Sequence, residues 1–193
     1  SQWIRLIDVL QHHLKQVDEP EETTDLYLEI AEINYQELSR VDKAEQSFQM
    51  ARQVNPASVK ALKGLGQLYE RSGNWFQSLE MMRAQVDLCG PNAEALPVLM
   101  RMGRINDDML ADAESAQSSY KRALDIDPNY EPALNAMKEL ARRREDWNAY
   151  HEYLVAQAEH ADDLEDKSEL FTEAGDFLVR TREDEAGAVR FYR

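Results

Sequence analysis

Few residues in this sequence have types and spacings suited to chemistry. His12 and His13 are adjacent; on a helix they project about 100° apart and cannot clasp one metal. His151 and His160 have no Cys or Glu partner at ligand spacing, so no zinc pattern exists. Cys89 is the only cysteine and has no histidine at motif spacing to activate it. It excludes an intrachain disulfide and fits a reducing compartment such as the cytoplasm. Neither a G-x-S-x-G elbow nor a phosphate-binding glycine loop occurs. The acidic runs Asp18–Glu22 and Asp162–Asp166 lack the alternating ligands of a calcium loop. They read as solvated linkers that place acids at helix N-termini. Arg142, Arg143 and Arg144 close a helix, where cations oppose the helix dipole. The expectation is a chain that is not an enzyme and holds no metal or cofactor.

Charge narrows the partners. The 193 residues carry a formal net charge of −15, with a pI near 4.7. Nucleic-acid binding needs a cationic surface, so no nucleic acid is expected. No run of 18 apolar residues exists, which argues against direct membrane insertion. Other classes of partner stay open on charge and hydropathy alone.

The elements that would position such a partner are repeats. Trp3, Trp75 and Trp147 are spaced by 72 residues, as are Ala44, Ala116 and Ala188, and Phe48, Tyr120 and Tyr192. Pro20, Pro56, Pro91 and Pro128 lie 36, 35 and 37 apart, between units. Asn55-Pro56 and Asp127-Pro128 pair a capping residue with a proline at a helix start. Within Leu62 to Trp75, the residues Leu62, Leu65, Leu68 and Tyr69 form one apolar helical stripe. Gly66 lies inside it, and the expected reason is a second helix crossing close by. Ser72-Gly73-Asn74 then ends the helix. The pattern predicts eleven helices, over 3–16, 23–39, 42–54, 57–72, 75–88, 92–109, 112–126, 130–144, 147–160, 165–181 and 184–193. The tryptophans, each followed by apolar residues at helical spacing, are expected in the core, as are Met82 and Met102.

Leu62, Leu65-Gly66 and Tyr69, together with Ala44/Phe48 and its copies, resemble the W-x2-L-G-x2-Y…A-x3-F signature of tetratricopeptide (TPR) repeats or a TPR-like relative. The unit departs from the 34-residue pattern. One hairpin type carries an extra residue before its alanine, and the other has Ser78 or Tyr150 in place of that alanine. The resemblance implies an all-α fold, a right-handed superhelical α-solenoid of antiparallel helix pairs over 1–193. Its units would be 1–19, 20–55, 56–90, 91–127, 128–163 and 164–193. By the 72-residue offset the chain starts and stops in mid-hairpin, so a segment of a longer array is expected.

The implied function is a non-enzymatic protein-interaction scaffold whose first helices line a concave groove. Two alternatives stand beside it. One is an architectural module that self-associates through its open ends; the other is a regulatory repeat domain of a larger protein. Groove positions transferred from the resemblance include Glu32, Tyr35, Gln36, Lys60, Lys63, Gln67, Arg71, Leu28, Met100, Arg104, Asn135, Arg142, Arg143 and Glu169. From Lys60 to Arg143 these positions are net basic within an acidic chain, which suits a peptide bearing carboxylates. The clamp that some TPR domains close on a terminal carboxylate is not expected, because Gln67 replaces its asparagine and Pro132 and Ala136 replace its cations.

Overall fold

The computed structural model describes residues 2–161, 163–182 and 184–192. Asp162 in the second acidic run and the terminal Arg193 lie outside them. Among the described residues every regular element is a helix. The chain divides into two compact units, 1–90 and 91–193. The division falls between two of the expected repeat units.

The first unit contains α1 (Gln2–Leu14), α2 (Pro20–Glu32) with a π-helical continuation (Ile33–Glu37), α3 (Val41–Val54), α4 (Val59–Arg71) and α5 (Trp75–Cys89). Helices α2 and α3 pair, as do α4 and α5, and α3 packs on α4. The second unit contains α6 (Ala95–Arg104) with a π continuation (Ile105–Met109), α7 (Ala113–Ile126), α8 (Glu131–Arg143), α9 (Trp147–His160), α10 (Leu164–Arg182) and the short α11 (Glu185–Ala188). Here α6 pairs with α7, and α8 with α9, while α7 packs on α8 and α9 on α10.

Local chemistry accounts for the ends. Ser58 caps α4 by accepting from the Ala61 amide at 3.3 Å. Pro56 does not start that helix, contrary to the sequence reading. The Asn55 side chain accepts from the Ala57 amide at 3.0 Å, so Pro56 sits in an Asx turn ahead of the cap. Asp127 does the same with the Asn129 amide, again at 3.0 Å. Helix α4 ends on Gly73 at φ 74°, with the Asn74 amide returning to the Tyr69 carbonyl at 2.7 Å. In α8 the equivalent place is held by Glu145 at φ 55°, closed by Asp146 to Ala141.

The stripe on α4 is core. Ala61, Leu62, Leu65 and Leu68 are all buried, each leucine contributing about 1.5–3 kcal/mol. Ala44 and Ala116 are fully buried, with Phe48 and Tyr120 beside them. Where the other hairpin type has Ser78, its hydroxyl donates to the Gly66 carbonyl at 3.1 Å, so a buried polar group is satisfied.

Helix α5 does cross beside Gly66, where a β-carbon would stand 3.7 Å from Met81 Cβ, an ordinary contact; the tighter crossing is at Gly64, whose β-carbon would overlap the Phe48 ring. Two expectations need correction. The tryptophans are not buried: Trp3 and Trp75 are half-covered and Trp147 is 39% exposed. Each stands within the first turn of its helix, where only one side is covered. Finally, the last helix spans four residues in place of the expected ten.

The π segments absorb the extra residue of the first hairpin type. Leu38 donates to the Ile33 carbonyl, five residues back, and Leu110 donates to Ile105, each at 3.2 Å. Asn34 is buried in the widened turn and donates to the Ile30 carbonyl at 2.8 Å. Its counterpart Asn106 is buried too. The third copy has Leu178 at this place and runs as unbroken α-helix to Arg182.

Candidate functional site

In the first unit, α2 with its π continuation lies beside α4, and a cleft of about 330 Å³ opens between them. Glu32, Tyr35 and Gln36 line one wall and Lys60, Lys63 and Gln67 the other. On α4 the spacing i, i+3, i+7 puts these three on one face. Phe48 and Gly64 meet at the floor. The missing Gly64 side chain lets the ring lie against the α4 backbone. Arg71 stands over the Tyr35 ring at 5.1 Å, a cation–π contact that joins the two walls. Lys60 and Lys63 are exposed and form none of the ion pairs among the described residues.

The predicted residues of the second unit are placed differently. Arg142 makes a two-pronged contact with Glu139, at 2.8 and 2.7 Å. That contact holds the Glu139 carboxyl below its ordinary range. Arg143 pairs with Asp107 of the π segment, which ties α8 to the preceding first helix. Arg104 is exposed, near Tyr120. Asn135 is exposed and accepts from Gln157 Nε2 at 2.6 Å. Met100 is buried at 4%, as is its 72-residue counterpart Leu28 at 5%. Both continue the buried stripe of their helices, so neither presents a side chain to a groove.

Sequence reasoning missed two features. Phe48 enters the sequence reading only as a signature aromatic, yet it lies at the base of the cleft beside Gly64. Gln157 lies on a second helix, outside the first helices that the resemblance assigns to the groove. The signal for it was present: Gln85 and Gln157 are 72 apart, and both are buried on second helices. No helix among the described residues is long and apolar enough to cross a membrane.

No protein-family model matches the sequence, and no curated protein does either. Solved structures do match. A tetratricopeptide repeat protein from Parabacteroides merdae aligns over 98% of this chain and 70% of its own, at 13% identity and a TM-score of 0.61. The MamA protein aligns over 89% of each chain at 19% identity, with a TM-score of 0.58. YrrB, described as a TPR protein with an unusual peptide-binding site, aligns over 86% of this chain and 81% of its own at 14% identity and a TM-score of 0.54. At these identities the likeness establishes the fold, an all-α helical repeat of the tetratricopeptide type.

Proposed function

We propose that this chain is a protein-interaction scaffold, and that its α2–α4 cleft takes a short peptide segment bearing carboxylates. The observation that carries the reading is the state of the two lysines. Lys60 and Lys63 project into one cleft without a carboxylate in ion-pair range among the described residues. Arg142 and Arg143, by contrast, are already paired. An acidic side chain entering the cleft would meet two ammonium groups. Gln36 and Gln67 stand beside them, with amides able to hydrogen-bond a peptide backbone. Tyr35 offers apolar surface beside the ligand, with the buried Phe48 ring behind it. The peptide-binding site named for YrrB, a protein of the same fold, is consistent with this use of the architecture.

The test is a titration of the intact chain with a labelled Glu-Leu-Glu peptide and its Gln-Leu-Gln counterpart. The acidic peptide should bind more tightly, and its affinity should fall with added salt, since exposed charges are screened. Lys60→Ala with Lys63→Ala should weaken it, whereas Arg142→Ala should not. Equal affinity for the two peptides, or no effect of the lysine pair, would overturn the reading.

A further inference from the structure

Leu164 opens α10 and is 83% exposed, the most exposed large apolar side chain among the described residues. Asp163 and Glu165 flank it, and on a helical turn they project about 100° to either side. Both are exposed and take part in none of the ion pairs among the described residues. The turn is ordered by its own cap. Asp163 Oδ1 accepts from the Glu165 and Asp166 amides at 2.7 and 3.2 Å, which leaves Oδ2 to meet a cation. Lys167, the nearest cation in sequence, is engaged elsewhere: its ammonium donates to the Glu159 carbonyl of α9 at 3.0 Å.

An exposed leucine alone is ordinary. The cleft between α2 and α4 gives this one meaning. It offers two ammonium groups, Lys60 and Lys63, against the one carboxylate of Glu32, with the Tyr35 ring beside them. Its volume is about 330 Å³, the small end for ligand sites, which run from roughly 300 to 1,000 Å³. Such a cleft admits a tip of one or two side chains and excludes a whole helix. The other acidic run, 18–22, has no exposed large apolar side chain among the described residues, and its Glu22 already lies 3.4 Å from His13.

We propose that the lysine cleft receives the turn formed by Asp163, Leu164 and Glu165 of a second copy of this chain. The inference rests on the reading of the cleft as a site for an acidic segment, and it names the occupant. Leu164 lies against the Tyr35 ring, and the two carboxylates meet Lys60 and Lys63. The two surfaces that meet are different, so the contact is head-to-tail. A chain bound through its cleft keeps a free turn, and one bound through its turn keeps a free cleft, so the assembly can grow. The net charge of −15 opposes approach, but at physiological salt that repulsion is screened beyond about 8 Å. With so small a contact the association is weak and shows only at high protein concentration.

Sedimentation equilibrium of the intact chain over a range of concentrations reads the association. The mass should rise with concentration and pass that of a dimer. Lys60→Ala with Lys63→Ala should weaken association about threefold to tenfold. Leu164→Ser with Glu165→Gln should weaken it at least about tenfold. All four positions are exposed, so both variants should melt with the parent. Mixed together, the two variants should complement. One has an intact turn and the other an intact cleft, so the mixture should form dimers that grow no further. A parent chain that stays monomeric up to about 1 mM overturns the proposal. So does a Leu164→Ser/Glu165→Gln chain that associates like the parent, or a mixture that forms no dimer. A synthetic peptide of residues 160–168 separates this proposal from the reading it rests on. If the chain binds Glu-Leu-Glu, ignores the 160–168 peptide and stays monomeric, the cleft serves another acidic partner and the second copy is excluded. If neither peptide binds and self-association survives the loss of both lysines, both readings fail.

Discussion

The Phe48 ring lies against the backbone of Gly64, in the space that a β-carbon at Gly64 would occupy. Phe48 belongs to α3 and Gly64 to α4, so the contact is where one hairpin docks on the next. Gly66, two residues on, has ordinary room around it. The two glycines should therefore respond in opposite ways. Gly64→Ala overpacks a buried ring and should destabilise by about 1–3 kcal/mol. Gly66→Ala should be neutral or stabilise by up to about 1 kcal/mol, the ordinary helix preference for alanine. Urea unfolding of both variants checks this, and Phe48→Leu should restore the Gly64→Ala chain. Equal effects at the two positions would place the tight crossing elsewhere.

The π segments lead to a second expectation. Ile33–Glu37 carries one residue more than an α-helix needs, and its widened turn holds Asn34. Deleting the exposed Glu37 should let the segment close to α-helix while the pairing of α2 with α3 survives. Deleting Gln67 from the middle of α4 should instead rotate half of its buried stripe by about 100° out of the core. Circular dichroism melts should show a cooperative transition for the first deletion and none for the second. Loss of folding in both would mean that the π turn is required for pairing.

How much of this was legible follows from what each feature depends on. The helices and their order came from periodicity, a local property: the stripe Leu62, Leu65, Leu68 is buried as read. Lys60, Lys63 and Gln67 share a face for the same reason. The π turns were visible only as one extra residue. An insertion reads equally as a longer loop, and the choice is made by backbone bonds such as Leu38 to Ile33. The tryptophans misled because size and apolarity predict burial, while a place in the first helical turn leaves one side open. The stacking of Arg71 on Tyr35 and the meeting of Gln157 with Asn135 depend on how neighbouring helices cross, which no local pattern encodes.

The Arg143–Asp107 pair joins two first helices of the second unit, with the Asp107 side chain 14% exposed and that of Arg143 46% exposed. A double-mutant cycle with Asp107→Asn and Arg143→Met isolates it. Because the arginine is well solvated, the coupling should be modest, about 0.5–1 kcal/mol, and should shrink at high salt. Zero coupling at low salt would mean that the pair contributes nothing to the packing of α8.

Tyr120 sits near that pair, and its hydroxyl is pushed up to about 12, first by burial and then by the negative charges of Asp107 and Asp108. The folded chain thus holds this proton more tightly than the unfolded chain, in which tyrosine titrates near 10. The sign follows from proton linkage. Stability is undiminished by this group below pH 10, falls as the pH rises from 10 to about 12, and levels off above that. Tyr150, raised to about 12 by burial and by its bond to Glu173, adds a loss of the same sign. Tyr120→Phe should remove its share, so that the urea midpoint declines less steeply between pH 10 and 12. Asp107→Asn should act part-way, since it removes one of the two carboxylates that raise the hydroxyl but leaves the burial. Ultraviolet difference titration of the folded chain follows the hydroxyls directly. If the alkaline decline in the Tyr120→Phe chain matches that of the parent, another group controls it, and the hydroxyl at the α7–α8 junction is free to ionise.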